Sequence, residues 1–159
     1  MTLKQFSKQY HEWKELKAIE SVPDGQEPFP YIKRSRFVDS TEKGLLNCID
    51  HHCKMNGYGF SVYDSRGHMG SSGKFHFSKM SKGRGDCFIT IPVTCDEGLG
   101  GRTLYLSKMV WVEIKIGKDY QKPHQKKFED ECMERHEAYI LPKNWNDYYM
   151  MINAIAEKL

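Results

Sequence analysis

The sequence predicts an α/β protein from three observations: the helical spacing of apolar residues, the strand-like alternation of apolar and polar residues, and the order of these patterns along the chain. Apolar residues recur at helical spacing near both ends of the chain, and apolar and polar residues alternate as in β-strands through its middle. The predicted order of elements is helix, helix, three strands, helix, strand, helix. A length of 159 residues with 39% hydrophobic residues suits one domain's worth of chain with a substantial core.

Neither a membrane span nor a signal peptide is predicted. No apolar run approaches the length that crosses a bilayer, and residues 1–5 lack the apolar segment of a secretory signal. We therefore expect a cytoplasmic protein, or a nuclear one in a eukaryotic host. The net charge of +3 would attract nucleic acid only weakly if it were spread evenly.

An amphipathic helix is predicted over residues 2–19, where it would provide core or dimer contacts. Its apolar stripe consists of Leu3, Phe6, Tyr10, Trp13 and Leu16. Three prolines and an Asp-Gly pair predict an extended linker over residues 21–30. We therefore divide the chain into a helix and linker, residues 1–36, and a main domain, residues 37–159.

A second helix is predicted over about residues 40–55, because Asp39 followed three positions later by Glu42 resembles a capping box. Glu42 would lie in the first turn. There it either caps the helix and interacts with its dipole, or reaches a cation site beside the helix. A strand over residues 58–63 and a flexible loop over residues 65–73 are expected to follow.

The next two strands are predicted to form an antiparallel hairpin. Asp86 opens the first strand and Pro92 closes it, and a turn at residues 96–101 leads to a long strand over residues 103–116. Asp86 and Glu113 would lie at the same end of this pair. The hairpin would therefore bring the two carboxylates together.

Alternation along the two strands predicts which side chains share a face. Glu113 and Lys115 project to one side, and the apolar side consists of Val110, Val112, Ile114 and Ile116. In the first strand Cys87, Ile89 and Ile91 join the apolar side, which leaves Asp86 on the face of Glu113 and Lys115. Carboxylates about 4 Å apart would repel by roughly 4 kcal/mol at an effective dielectric near 20. A divalent cation would remove that cost.

The last third of the chain predicts two helices around a short strand. Pro123 suits the first turn of a helix that runs to about His136. Residues 138–141 are apolar and predict a buried strand. Asn144 would cap the last helix.

The five cysteines are scattered and include no CxxC pair, which favours reduced thiols. The run His51, His52 and Cys53 raises a zinc hypothesis. This zinc hypothesis is weaker than that of reduced thiols without a metal. A second closely spaced pair of ligands is missing, and neighbouring residues on a helix point in different directions.

Basic residues concentrate between Asp64 and Asp86, a stretch without any acidic residue. They form either a solvated loop or a surface that contacts phosphate, and their position directly before Asp86 favours the second interpretation. The predicted nucleic-acid-binding set is Arg66, Lys74, Lys79, Lys82, Arg84 and Lys118. Lys33, Arg34 and Arg36 either contact phosphate too or are ordinary surface charges.

These motifs, in this order, resemble the PD-(D/E)xK nuclease superfamily and, more narrowly, its VRR-NUC branch of virus-type replication and repair nucleases. The resemblance covers roughly residues 40–142. The matching positions are Glu42 for the acidic residue of the first helix, Gly83 and Asp86 for Gly-x-x-Asp, Glu113-Ile114-Lys115 for Glu-x-Lys, and Pro123-His124-Gln125 for Pro-x-Gln. Gly85 stands where the family usually has proline, Lys122 stands where a serine often caps the helix, and the hairpin is longer than is common.

The resemblance implies a restriction-endonuclease-like core, in which helices flank a central mixed four-stranded sheet, here with an extra N-terminal helix. It implies that Asp86, Glu113 and the backbone carbonyl of Ile114 hold Mg²⁺ or Mn²⁺, with Glu42 as a further candidate ligand. Lys115 would position or deprotonate the attacking water. Gln125 would orient Lys115 or a phosphate.

The function expected from this resemblance is a Mg²⁺-dependent DNA endonuclease that acts as a homodimer on branched or Holliday-junction DNA. Two other functions stay open. The chain could be a non-catalytic DNA-binding or assembly module in which Lys115 only forms a salt bridge to a carboxylate. It could also be an RNA nuclease, because metal-assisted phosphodiester hydrolysis uses the same residues on either polymer.

Overall fold

A mixed four-stranded sheet is the centre of the computed structural model, which describes residues 1–27, 31–63, 68–69, 75–76, 84–95 and 104–159. The strands are β1 (Gly59–Val62), β2 (His68–Met69), β3 (Phe75–His76), β4 (Cys87–Cys95), β5 (Leu104–Val112) and β6 (Ala138–Ile140). The helices are α1 (Leu3–Glu20), α2 (Glu42–Asn56), α3 (Pro123–Glu134) and α4 (Trp145–Ala156).

The sheet has the order β1-β4-β5-β6. β4 is antiparallel to β1 and to β5, whereas β6 is parallel to β5. The predicted α/β class, the mixed four-stranded sheet and the antiparallel hairpin are therefore confirmed. β2 and β3 form a separate antiparallel pair, so the prediction of a loop throughout residues 65–73 is wrong at His68 and Met69. The predicted turn at residues 96–101 lies outside the described residues.

Helices cover both faces of the sheet, as the alternation along β4 and β5 requires. Cys87, Ile89 and Val110 face a large core. This core is completed from α1, α2 and α4 by residues that include Phe6, Tyr10, Leu45, Ile49, Trp145 and Tyr148. On the other face, Trp111 packs against Phe128 and Cys132 of α3.

α1 belongs to the large core. Thr2 caps it by accepting a hydrogen bond from the backbone N–H of Gln5. Of the predicted stripe, Phe6 and Tyr10 are buried, whereas Leu16 is 60% exposed. The predicted helix is confirmed, and the apolar stripe contacts the core from Leu3 to Trp13.

The predicted cap of α2 is wrong, although the helix itself is confirmed. Thr41 is the N-cap and accepts from the backbone N–H of Gly44. The Asp39 carboxylate instead accepts from the backbone N–H of Trp145, at 3.0 Å. Asp39 thus links the start of α2 to the start of α4. Glu42 does lie in the first turn of α2, as predicted.

Both strands of the hairpin end elsewhere than predicted. Pro92 lies within β4, opposite Ser107, and does not close the strand. β1 pairs with β4 only as far as Thr90, so among the described residues β4 is an edge strand at Pro92, where a sheet tolerates proline. β5 ends at Val112, four residues before the predicted end at Ile116.

The last three elements match their predictions closely. α3 begins at Pro123, β6 covers Ala138–Ile140, and Asn144 caps α4 by accepting from the backbone N–H of Asp147. α3 ends at Glu134, and His136 just beyond it has a positive φ of 56°. No described helix is long and apolar enough to cross a membrane.

Candidate active site

The end of the β4–β5 ladder brings Asp86 and Glu113 together. The last strand pair is Cys87 with Val112, so Asp86 and Glu113 are the next residues outward on the two strands. Asp86 Oδ2 accepts a hydrogen bond of 2.7 Å from the backbone N–H of Ile114. Beyond β5, the backbone N–H groups of Glu113 and Lys115 donate to Ile140 and Pro142, which keeps this segment against β6 and the residues that follow it.

Glu113 is a buried carboxylate with one oxygen occupied and one without a partner. Its side chain is 2% exposed. Oε1 accepts from Lys115 Nζ at 2.7 Å and from Gln125 Nε2. Oε2 is buried and has no hydrogen-bond partner among the described residues. An orphaned buried oxygen is costly, which makes Oε2 a candidate ligand atom.

Burial raises the pKa of Glu113 from 4.5 to about 7. The hydrogen bond from Lys115 lowers the pKa, and the negative charges of Asp86 and Asp119 raise it further. Glu113 is therefore only partly ionised near neutral pH, mainly because burial penalises its charged form.

Lys115 lies at the centre of the cluster and is itself buried, at 5% exposure. Its Nζ donates to Glu113 at 2.7 Å, to Asp119 Oδ2 at 3.2 Å and to Gln125 Oε1 at 3.2 Å. Burial alone would lower the pKa of Lys115, but the hydrogen bonds and charges of Glu113 and Asp119 outweigh it and raise the pKa. The side chain is an ammonium in this arrangement and donates to all three partners.

Asp86 shows the same electrostatic signature as Glu113. Burial raises the pKa of Asp86, and the hydrogen bond from Ile114 only partly counters it. The negative charge of Glu42 raises the pKa further, so the start of α2 is near enough to act on Asp86. Glu42 itself is exposed.

Gln125 is fixed by the way in which α3 begins. Pro123 occupies the first turn, and the N-cap residue Lys122 makes no side-chain capping bond. Gln125 Oε1 accepts instead from the backbone N–H of Lys122, at 2.9 Å. Its amide group can therefore donate to Glu113 while its oxygen accepts from Lys115. The structure thus brings Gln125 into contact with Lys115, the residue it would orient according to the resemblance.

Asp119 belongs to the cluster and was missed by sequence reasoning. Its carboxylate is half exposed and contacts the Lys115 ammonium, whose hydrogen bond lowers the pKa of Asp119. Gly117, with a positive φ of 65°, turns the chain back so that Asp119 reaches Lys115 four positions earlier. The available signal was Lys115 followed by a glycine and then an aspartate.

Most of the predicted basic surface lies outside the described residues. This applies to Arg66, Lys74, Lys79, Lys82 and to Gly83 of the Gly-x-x-Asp motif. Arg84 is described and exposed, with its guanidinium 5.6 Å from the centre of the Tyr63 ring. Lys118 is exposed in the turn directly before Asp119.

The zinc hypothesis at residues 51–53 finds no support in the described structure. His52 contacts the Tyr148 hydroxyl at 3.1 Å, and burial lowers its pKa to about 4. His51 Nδ1 instead lies 2.7 Å from the carbonyl oxygen of Asn47. The side chains of Cys48, Cys53, Cys87 and Cys132 are free thiols.

The donor set at Asp86 and Glu113 fits a hard cation better than zinc. No group of three or more His, Cys, Asp or Glu side chains in the described residues is arranged to hold a metal ion. Zinc sites usually need three or four such ligands, whereas Mg²⁺ keeps several waters and commonly takes one or two carboxylates. Asp86 and the orphaned Oε2 of Glu113 match the second pattern.

Comparison with known proteins adds no relative to this picture: no family model matches the chain, and neither does any curated protein or solved structure.

Proposed function

We propose that this protein is a Mg²⁺- or Mn²⁺-dependent nuclease that hydrolyses phosphodiester bonds in DNA, with the active site at Asp86, Glu113 and Lys115. The observation that carries the proposal is Glu113 Oε2, a buried oxygen without a partner, on the residue that lies beside Asp86 at the end of the β4–β5 ladder. Burying two carboxylates together raises the pKa of both, and a divalent cation is the usual way to offset that cost.

Asp86 and Glu113 would hold the cation, with Glu42 and the Ile114 carbonyl as the further ligands that the resemblance implies. A bound Mg²⁺ supplies Lewis-acid polarisation of the scissile phosphate. The Lys115 ammonium would stabilise negative charge that develops on the phosphate in the transition state. Asp119 and Gln125 would keep Lys115 in place if Glu113 turned from Lys115 to the cation.

The family assignment is part of the proposal. The Glu-x-Lys residues, Asp86 and Gln125 lie together as expected for the VRR-NUC branch of the PD-(D/E)xK superfamily, and the sheet has the mixed four-stranded form. Action on branched or Holliday-junction DNA and assembly as a homodimer remain predictions from the resemblance.

Cleavage assays test the proposal directly. Supercoiled plasmid and a four-way junction are incubated with the pure protein in Mg²⁺, in Mn²⁺ and in EDTA, beside Asp86→Ala and Lys115→Ala. Lys54→Ala is the matched control, because Lys54 lies at the end of α2, paired with Asp50 and not with the site. We expect metal-dependent cleavage by the wild type and the control only. Cleavage that persists in Lys115→Ala would contradict the assigned mechanism, and a matched RNA competitor separates DNA from RNA as substrate.

A second candidate function is a DNA-binding module without catalysis. The observation in its favour is that Lys115 already neutralises Glu113 Oε1 at 2.7 Å, as a purely structural ion pair would. Calorimetry with Mn²⁺ separates the two. Heat of binding that disappears in Asp86→Ala supports the nuclease, whereas no heat in the wild type, together with salt-sensitive DNA binding, supports the module.

A further inference from the structure

A groove of about 1030 Å³ lies between α1 and the segment over residues 31–37, and none of the active-site residues lines it. α1 contributes Lys4, Ser7 and Lys8 to one wall. The other wall contains Arg34 and Arg36. The remaining lining residues are Leu3, His11, Glu12, Glu15, Ser35 and Phe37.

The charge of this groove is predominantly positive. No described carboxylate lies within ion-pair distance of Lys4, Arg34 or Arg36. The two acidic residues of the lining already have partners on α1 itself. Glu12 is 3.6 Å from Lys8, and Glu15 is 3.2 Å from His11. The lining has four basic residues, Lys4, Lys8, Arg34 and Arg36, against two acidic ones, so its net charge is +2 when histidine is counted as neutral, which favours a ligand that brings negative charge.

The arginine wall is held in place by packing. Exposure alternates along residues 34–39, so that Arg34 and Arg36 are exposed while Phe37 faces the protein. The Phe37 ring lies 4.9 Å from that of Phe6 and 5.4 Å from that of Tyr10. Lys14 Nζ also donates to the carbonyl oxygen of Lys33 at 3.0 Å. The two guanidinium groups thus extend from an anchored segment on the same side.

We propose that this groove binds the sugar–phosphate backbone of the DNA that enters the active site, an inference that rests on the proposed function. Guanidinium groups spaced two residues apart can each hold a phosphate with paired hydrogen bonds, and the hydroxyl of Ser7 can add another. The groove is thus a second contact with the substrate, beyond the basic residues next to Asp86.

Chain continuity links the groove to the active site. Arg36 precedes Glu42 by six positions, and the charge of Glu42 acts on Asp86. Six residues of extended chain span at most about 20 Å. One DNA strand covers that distance in roughly six nucleotides at about 3.4 Å each. A single bound duplex is therefore long enough to reach from the arginine wall to the cation site.

Fluorescence anisotropy with a labelled DNA duplex tests the proposal on the full chain, in EDTA and over a series of salt concentrations. The test variant is Arg34→Gln with Arg36→Gln. The control, Lys54→Gln with Lys158→Gln, removes the same charge from exposed positions at the ends of α2 and α4. Thermal unfolding confirms that each variant folds.

We expect the arginine variant to bind DNA about ten-fold or more weakly than the control, with a salt slope lower by about two, one per lost phosphate contact. Equal affinity of the two variants would overturn the proposal, as would a wild type that does not bind DNA. The proposal would also be overturned if polyglutamate, added in an amount that carries the same negative charge, displaced the labelled DNA as well as unlabelled DNA does. Calorimetry with Mn²⁺ on the same proteins separates the two proposals. A wild type that binds no Mn²⁺ would refute the proposed nuclease, whereas the anisotropy comparison, made in EDTA, would still test DNA binding by the groove.

Discussion

Gly85 lies directly against the backbone of Val112. A β-carbon at Gly85 would be 2.6 Å from the carbonyl oxygen of Val112 and 3.1 Å from its carbonyl carbon. Neither atom can move without displacing β5, so the two strands approach this closely only with glycine here. This close approach occurs one residue before Asp86. A proline, which the family that this chain resembles usually has at this position, would not fit in this arrangement.

Gly85→Ala is therefore expected to displace Asp86 from the backbone N–H of Ile114 and to weaken Mn²⁺ binding by about ten-fold or more. The overpacking should also lower the free energy of unfolding by about 1–3 kcal/mol. Gly57→Ala is the control, because Gly57 has a φ of 70° at the C-cap of α2 and open space around it. That change costs about 1 kcal/mol through backbone strain, with no effect on calorimetric Mn²⁺ affinity. Wild-type affinity in Gly85→Ala would refute the role of the close approach.

Glu113 gives the site a pH dependence of defined sign. The folded protein holds the Glu113 proton up to a pH of about 7, whereas the unfolded chain releases it near 4.5. Between these values the folded state binds more protons, so the free energy of unfolding falls as the pH rises. Glu113→Gln removes this term. The free energy of unfolding of the variant, relative to that of the wild type, should therefore rise by about 3 kcal/mol from pH 4.5 to pH 8.

Urea unfolding in EDTA across this range measures the difference. His52, whose pKa burial lowers to about 4, titrates in both proteins and cancels. Glu131→Gln, at a half-exposed position on α3, is the matched control. A flat difference curve for Glu113→Gln would show that Glu113 is not the titrating group.

Gln125 connects the two central side chains of the candidate site, since it donates to Glu113 and accepts from Lys115. Gln125→Ala should weaken Mn²⁺ binding or slow cleavage by about 10–100-fold, the usual effect of removing a partner of a metal ligand. Gln125→Glu should not restore activity, because a carboxylate cannot donate to Glu113. The matched control is Gln121→Ala, since Gln121 donates to Glu129 at 2.8 Å. Equal activity of the two alanine variants would contradict the assignment.

The central arrangement of the candidate site was predictable from sequence because strand alternation is a local rule. It placed Glu113 and Lys115 on one face and Asp86 at the facing strand end, and the structure shows Lys115 bonded to Glu113. Asp119 was not predictable in this way. Its approach to Lys115 depends on the left-handed turn at Gly117, which alternation does not describe.

Errors at element ends have a common origin in contacts between distant residues. Asp39 and Thr41 are both good N-cap residues. Thr41 caps the helix because the Asp39 carboxylate accepts a hydrogen bond from the backbone N–H of Trp145, 106 positions away. Pro92 has no backbone N–H, so it breaks a strand only where a neighbouring strand needs a donor at that position, and β1 is too short to be that neighbour. Neither fact is visible in the local sequence.

α1 is expected to stabilise the whole protein through Phe6 and not to serve only as a dimer contact. The Phe6 ring stacks on Trp145 at 4.1 Å between centroids, and Trp145 Nε1 donates to the carbonyl oxygen of Met1. Phe6→Ala should lower the free energy of unfolding by about 3–5 kcal/mol, in one cooperative transition. Leu16→Ala, on the same helix but 60% exposed, should change it by less than about 0.5 kcal/mol. Chemical denaturation decides the question, because a Phe6→Ala protein as stable as Leu16→Ala would mean that α1 packs too loosely to contribute to the core.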